Sequence, residues 1–131
     1  MKVGLGAVIG NRQAIAVLRR CALEGRVPTA YLFVGPDHVG KLTTAIEFAK
    51  LLNCLSPIGA DNPDTYDACD QCQACQAIAA SHYADVHVVR PLVRIGRPPK
   101  VEVTEFDGAV LTTEQIGDVI AAAGLKPTRG R

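Results

Sequence analysis

The sequence has no excess of charge of either sign and no long apolar run. Its 131 residues contain 14 lysines and arginines against 13 aspartates and glutamates, so the formal net charge is only +1. This balance gives no electrostatic reason to expect the chain to bind nucleic acid by itself, and any contact with DNA would be local or made together with partners. No segment approaches the roughly 18 consecutive apolar residues of a membrane span.

The first residues also lack the apolar core of a secretory signal peptide. We therefore expect a cytoplasmic protein that does not contact a membrane. Disulfides are rare in that reducing compartment, so the five cysteines point to metal or redox chemistry instead. With 48% hydrophobic residues, the chain is long enough to bury a core as one domain or as part of one.

A phosphate-binding loop is predicted between an apolar strand at 30–34 and a helix that begins at Lys41. Gly35 and Gly40 lie five residues apart and are followed at once by Lys41. This spacing lets the backbone curl so that its N–H groups and the lysine ammonium point at a polyphosphate, to which the helix start adds its positive end. The alternative is an ordinary strand-turn-helix whose glycines serve only the turn.

One position departs from the full phosphate-loop pattern, in which the residue after the lysine is a hydroxyl that ligates Mg²⁺. That residue is Leu42 here, and Thr43 and Thr44 lie about 100° and 200° further round the helix. Neither replaces the missing hydroxyl without a shift of the loop. No later strand ends in the acidic residue that P-loop ATPases use on Mg²⁺. The pattern therefore predicts a phosphate cradle and argues against ATP hydrolysis by this chain.

Apolar residues at helical spacing predict a helix on each side of the loop, the first from about Asn11 to Gly25. The stripes are Ala14, Val17, Leu18 and Cys21 in the first helix, and Ala45, Phe48, Ala49 and Leu52 in the second. Strand, loop and helix open a right-handed crossover to a second parallel strand, for which residues 85–89 are the candidate. The predicted fold class is α/β, an incomplete parallel sheet of the P-loop NTPase type flanked by helices.

Four of the five cysteines form a second motif. Cys54 is followed after fourteen residues by Cys69, Cys72 and Cys75, which make two successive C-x-x-C steps. This spacing matches the tetrahedral ligand set of a closed structural zinc site. We therefore predict a zinc-binding insert at 53–80, in which the metal pins a long loop to a helix that starts near Gln73.

Other interpretations of the cysteines stay open at this stage. A thioredoxin-like redox pair would use one C-x-x-C and leaves the other cysteines unexplained. An iron–sulfur cluster takes a similar run of cysteines, and spacing alone does not exclude it. Unligated thiols are the plainest alternative. His82 and His87 would be ligands only if a cysteine dropped out, and Cys21 is expected to be a small buried hydrophobe.

Beyond the second strand candidate, residues 92–108 are expected to form an exposed excursion. Within it, the alternating pattern at 101–106 indicates an edge strand. Thr112 and Gln115 form a capping-box signal for a helix that ends at Gly124.

The motifs also carry a family likeness. In order they are Val8-Ile9-Gly10-Asn11, the segment 28–33, the glycine-lysine loop, the four cysteines, and Thr113-Glu114-Gln115-Ile116. This order resembles the N-terminal AAA+ module of the clamp-loader subunits of bacterial DNA polymerase III, over nearly the whole chain apart from 92–108. A phosphate loop followed directly by a four-cysteine insert is a specific combination.

Within that family, the chain is more similar to the delta-prime type than to the ATP-driven gamma/tau motor. Gamma/tau has a hydroxyl residue where this chain has Leu42. It also has an Asp-Ala-Ala-Ser-like run after its second strand, where this chain has Arg90-Pro91. Subunits of the delta-prime type are relatively rigid ring members that lend an arginine to a neighbour's ATP site. That arginine would lie beyond Arg131, so the resemblance implies the amino-terminal part of a longer protein.

The resemblance implies a non-motor subunit that helps to load the sliding clamp onto primed DNA during replication. Its partners would be the delta and gamma/tau subunits, and its cofactors a structural zinc ion and, as an open question, ATP with Mg²⁺. The nucleotide-binding residues would be Val8, Ile9, Gly35, Gly40, Lys41 and Thr43. The alternatives are the ATP-hydrolysing motor or another P-loop ATPase with a zinc insert, and a redox or iron–sulfur module.

Overall fold

A computed structural model of the protein describes residues 4–89, 93–95, 100–102, 117–118 and 120–121. They divide into two compact units, residues 4–86 and the described part of His87–Thr128. The first unit contains a short 3-10 turn (Gly4–Ala7) and the helices α1 (Arg12–Leu23), α2 (Lys41–Asn53) and α3 (Gln73–Ala79). The second contains the strands β1 (Val93–Ile95) and β2 (Lys100–Glu102).

One hydrophobic core holds the first unit together. Its buried members are Leu5, Ile15, Leu18, Phe48, Leu51, Ala68 and Cys75. The 3-10 turn, each of the three helices and the cysteine-containing loop all contribute to this core, in which α2 packs against both α3 and the 3-10 turn. The amino-terminal segment and the cysteine loop therefore share one core, although more than sixty residues separate them in the sequence.

The predicted helix before the phosphate loop is confirmed, and its predicted apolar stripe is only partly buried. Leu18 of the stripe is buried, whereas Val17 is 59% exposed and Ile15, outside the stripe, is buried. Arg19 is half-buried, and its guanidinium pairs with the carboxylate of Asp67. The apolar stripe alone did not predict this inward position of Ile15 and Arg19.

The predicted parallel sheet is not formed among the described residues. Segments 30–34 and 85–89 carry no strand ladder there, and Leu32 and Val34 are 88% and 84% exposed. An apolar run becomes a strand only when a neighbouring chain segment satisfies its N–H and C=O groups. Segment 30–34 still lies against α2, since the rings of Tyr31 and Phe48 meet edge to face at 5.2 Å.

The strands of the second unit form an antiparallel pair, in which Val93 faces Glu102 and Ile95 faces Lys100. Strand β2 confirms the first part of the predicted edge strand, and β1 is a strand that the sequence did not predict. The rest of the excursion, residues 103–106 included, lies outside the described residues. Of the predicted helix that ends at Gly124, residues 117–118 and 120–121 are helical, and the others lie outside the described part. Within that part, no helix is long and apolar enough to cross a membrane.

Candidate functional site

The four cysteines of the predicted metal motif come from three neighbouring places in the first unit. Cys54 follows the last residue of α2, Cys69 and Cys72 begin and end a tight turn, and Cys75 lies in the first turn of α3. Helix α3 starts at Gln73, as the sequence predicts. Because α2 packs against α3, the end of one helix and the start of the other bring all four thiols together.

The four Sγ atoms lie within 4.8 Å of one another. Sγ of Cys54 is 3.5 Å from that of Cys69 and 3.9 Å from that of Cys72. Four sulfurs bound to one Zn²⁺ at about 2.3 Å would be about 3.8 Å apart at the corners of a tetrahedron. The thiols therefore have the spacing that one tetrahedral ion requires, and they could hold a metal ion.

This geometry bears on the other interpretations of the cysteines. Scattered unligated thiols are not observed, since all four converge. In a four-iron cluster each cysteine binds a different iron, which sets the sulfurs further apart than a single ion does. Within the described residues the group contains neither His82 nor His87, so the candidate ligand set is four thiols.

Two backbone N–H groups point at the sulfurs. The N–H of Cys69 donates to Sγ of Cys54 at 3.4 Å, and the N–H of Cys72 donates to Sγ of Cys69 at 3.3 Å. Hydrogen bonds of this kind stabilise negative charge on sulfur and fix the orientation of metal ligands. The turn between Cys69 and Cys72 is thus shaped to present thiolates.

Burial and contacts within the cluster shift the pKa values of three of the thiols in different directions. Burial opposes ionisation of Cys72, but hydrogen bonds from the backbone of Cys75 and Leu55 and from the neighbouring thiols outweigh it and lower its pKa to about 6. Burial and the adjacent Cys72 raise the pKa of Cys75 far above its ordinary value, and burial raises that of Cys54. Four thiols this close resist ionising together, and a divalent cation supplies the charge that lets all four do so.

Sequence reasoning missed the two carboxylates that flank the first thiol of the turn. Asp67 is 3% exposed, and its two oxygens accept the backbone N–H groups of Leu5 and Gly6 at 2.8 and 2.7 Å. Asp70 accepts the N–H of Gly4 at 2.8 Å. Acidic residues on both sides of Cys69 were a visible signal, but nothing in the sequence indicates their partners, which lie more than sixty residues away.

The predicted phosphate loop lies directly before α2. Gly40 precedes the helix with φ +86°, a left-handed conformation that favours glycine. The ammonium of Lys41 donates to the carbonyl oxygens of Gly35 at 2.6 Å and Pro36 at 2.9 Å, so it lies across the loop. Those bonds connect the predicted residues Gly35 and Lys41 directly.

The hydroxyls near the loop do not supply the missing magnesium ligand. Leu42 occupies the position after the lysine and is 42% exposed. Thr43 is exposed, whereas Thr44 is buried and its hydroxyl donates to the carbonyl of Gly40 at 2.7 Å. The one buried hydroxyl of this turn is therefore used within the helix start rather than pointed at the loop.

The two predicted nucleotide-binding residues of the amino-terminal segment differ in their surroundings. Val8 is half-buried, and its Cγ1 lies 3.9 Å from where a Cβ would stand at Gly40. Ile9 is 94% exposed. Asn11 adds a second link on this side, because its amide donates to the carbonyl of Val39 at 3.1 Å. The amino-terminal segment thus reaches the predicted phosphate loop through Val8 and Asn11, whereas Ile9 is almost fully exposed.

Comparison with known proteins gives the family. The chain matches the family described as DNA polymerase III, delta subunit, over residues 10–131. It is also similar to Protein STICHEL-like 2 of Arabidopsis thaliana, with 38% identity over 56 residues, 43% of this chain and 6% of that protein. The chain therefore spans only a small part of the length of this curated relative. No solved structure matches it significantly. The match over nearly the whole chain shows that it belongs to the DNA polymerase III, delta subunit family.

Proposed function

We propose that this protein is a clamp-loader subunit of the bacterial replicative polymerase, of the delta-prime type, that binds in the ring without hydrolysing ATP. Family membership supports a clamp-loader role in DNA replication. The observation that carries the choice of subunit is the position after Lys41, where Leu42 replaces a hydroxyl and the hydroxyl of Thr44 donates to Gly40. A magnesium-dependent motor needs that hydroxyl on the metal.

The proposed nucleotide site is the loop between Gly35 and Gly40 together with Lys41 and the neighbouring Val8. The ammonium of Lys41 has two carbonyl partners at 2.6 and 2.9 Å, which a phosphate would replace with stronger charge-assisted bonds. Thr43 and Ile9 are exposed, and they lie at the rim of the proposed nucleotide site. Such a site holds a polyphosphate but lacks the protein ligand that positions Mg²⁺ for hydrolysis.

The proposed cofactor is one structural zinc ion held by Cys54, Cys69, Cys72 and Cys75. All four positions of a tetrahedron are filled by sulfur, so no open position is left for water or substrate. The ion would fasten the end of α2 to the start of α3 and pin the loop between them. It supplies stability to the insert and takes no part in chemistry.

Equilibrium binding of ATP, measured with and without Mg²⁺, tests the proposed site. We expect Mg²⁺ to change the affinity for ATP little in the unchanged protein. Lys41→Ala should weaken binding at least tenfold, and Leu42→Thr should make binding depend on Mg²⁺. Leu42→Ala is the matched control, because it changes the same side chain without adding a hydroxyl and is expected to leave the Mg²⁺ response unchanged. Strong Mg²⁺ dependence in the unchanged protein would contradict the assignment.

Reconstitution tests the proposed role. The protein, mixed with purified delta and gamma/tau subunits, should join their complex and be required for clamp loading onto primed DNA. A complex that assembles and loads the clamp equally well without it would exclude a delta-prime role.

A further inference from the structure

We propose that Asp67 and Asp70 are positioning residues that couple the four-cysteine centre to residues 4–9, so that metal binding sets where Val8 stands beside the phosphate loop. The coupling concerns the backbone of the amino-terminal segment. Its consequence for nucleotide binding rests on the function proposed above.

The first step of the coupling is the cysteine turn itself. Asp70 lies between Cys69 and Cys72, and its φ of +57° is an uncommon left-handed conformation that aspartate tolerates better than most residues. The N–H of Cys72 closes this turn on Sγ of Cys69 at 3.3 Å. A metal ion bound to both sulfurs would fix the turn, and with it the direction of the Asp70 side chain.

The second step is a set of hydrogen bonds from the turn to the amino-terminal segment. Three successive N–H groups, of Gly4, Leu5 and Gly6, donate to the carboxylates of Asp70 and Asp67 at 2.7–2.8 Å. The N–H groups at the start of a helical turn have no partner within it, so these carboxylates satisfy them from outside. Because the pairs lie 61 to 66 residues apart in sequence, they join two distant parts of the chain.

Two cations hold the carboxylates in place. Arg19 of α1 donates to Asp67 at 2.7 Å and to the carbonyl of Asp64 at 2.6 Å. Lys50 of α2 lies 3.3 Å from Asp70 and 2.8 Å from Glu47. A buried carboxylate with a charged partner and several N–H donors is firmly oriented, because moving it would leave each of those groups unsatisfied.

The fit between the two parts is close. A Cβ on Gly4 would stand 2.1 Å from Oδ1 of Asp67, so this position has room only for glycine. Leu5 and Ala68, one from each part, are both 0% exposed in the same core. The amino-terminal segment therefore has one position relative to the cysteine loop.

The last step leads from this segment to the phosphate loop. The N–H of Val8 donates to the carbonyl of Leu5 at 3.2 Å, which closes the 3-10 turn. Beyond it, Cγ1 of Val8 comes within 3.9 Å of the Cβ position at Gly40. Hydrogen bonds thus connect the cysteine turn to the amino-terminal turn, and Val8 at the end of that turn stands beside Gly40. This series is the physical route that the proposed coupling uses.

Amide hydrogen exchange at Leu5 and Gly6 tests the coupling without reference to nucleotide. We compare the zinc-loaded protein, the chelated protein and zinc-loaded Asp67→Asn, which retains the four cysteines. Chelation and Asp67→Asn should each speed exchange at one or both amides at least tenfold, while Asp67→Asn keeps one equivalent of zinc and normal protection in α2. Asp64→Asn is the matched control, since within the described residues Asp64 bonds to Arg19 and Asn62 through its backbone, and the variant removes the same charge.

Unchanged exchange at Leu5 and Gly6 on chelation of the unaltered protein would overturn the proposal, whether or not the variant folds. So would loss of zinc from Asp67→Asn, because Asp67 would then support the metal site rather than transmit its state. A second measurement extends the test: zinc should raise nucleotide affinity, and nucleotide should raise zinc affinity by the same factor. Failure of nucleotide to bind at all would contradict the proposed function, while the exchange result would still decide the coupling.

Discussion

The carboxylate of Asp67 lies 2.7 Å from the guanidinium of Arg19, inside the protein. This pair joins the loop that carries the cysteines to α1, and the same carboxylate binds the backbone of Leu5 and Gly6. The cysteine insert is therefore part of the core of the first unit rather than an appendage on it. Substitutions in the cysteine insert should therefore also affect the amino-terminal segment.

The close approach of Gly4 to Asp67 predicts a large effect of adding one methyl group. Gly4→Ala would place a Cβ at 2.1 Å from Oδ1 at a backbone φ of +56°. We expect a loss of roughly 2–4 kcal/mol in the free energy of unfolding, from the left-handed backbone and the clash together.

Gly10→Ala separates these two causes. Gly10 has φ +84° but nothing within 4 Å of its Cβ position. Its substitution should cost only the backbone strain, about 1 kcal/mol. Equal losses in the two variants, measured by urea unfolding, would mean that the contact with Asp67 contributes nothing.

The cysteine centre predicts a selective loss of metal. Cys72→Ser should lose the stoichiometric zinc and lower the free energy of unfolding by several kcal/mol, with residues 53–80 loosened, because the metal joins α2 to α3. Cys21→Ser is the control, since Cys21 lies on α1 outside the cluster. Retention of one zinc per chain and of thermal stability by Cys72→Ser would refute the four-ligand assignment.

The spectrum of the purified protein distinguishes zinc from iron. Zinc thiolates do not absorb visible light, whereas iron–sulfur centres do, so we expect a colourless protein that contains one equivalent of zinc. A brown or red protein with stoichiometric iron would contradict the zinc assignment and support an iron–sulfur cluster.

The core predicts a sharp contrast between two leucines. Leu5 of the amino-terminal turn is 0% exposed and shares the core with Ala68 of the cysteine loop, whereas Leu55 is 70% exposed. Leu5→Ala should lower the free energy of unfolding by about 2–5 kcal/mol and Leu55→Ala by about 0.5 kcal/mol or less. Similar midpoints in thermal unfolding of the two variants would show that the amino-terminal segment is not part of the core.

Features that depend on short stretches of sequence were predictable. The position of α1 follows from apolar spacing and a glycine stop, and the convergence of the cysteines follows from two C-x-x-C steps. The shape of the loop at Gly40 follows in the same way from the need for a left-handed residue there.

Features that depend on partners distant in the sequence were not predictable. Residues 30–34 have the composition of a buried strand, but composition does not supply the neighbour that a ladder needs. The half-burial of Arg19 was not predictable because its partner Asp67 is 48 residues away. A larger separation, 61 to 66 residues, hid the contacts of Asp67 and Asp70 with Gly4, Leu5 and Gly6, since acidic residues in a loop are usually solvated.

The most direct test of the proposed role is steady-state MgATP turnover, measured for this protein alone and then with the delta and gamma/tau subunits. We predict no turnover by the protein alone, and no effect of Lys41→Ala on the turnover of the complex beyond any loss of assembly. Turnover by the isolated protein that Lys41→Ala abolishes would identify it as the motor and contradict the central claim.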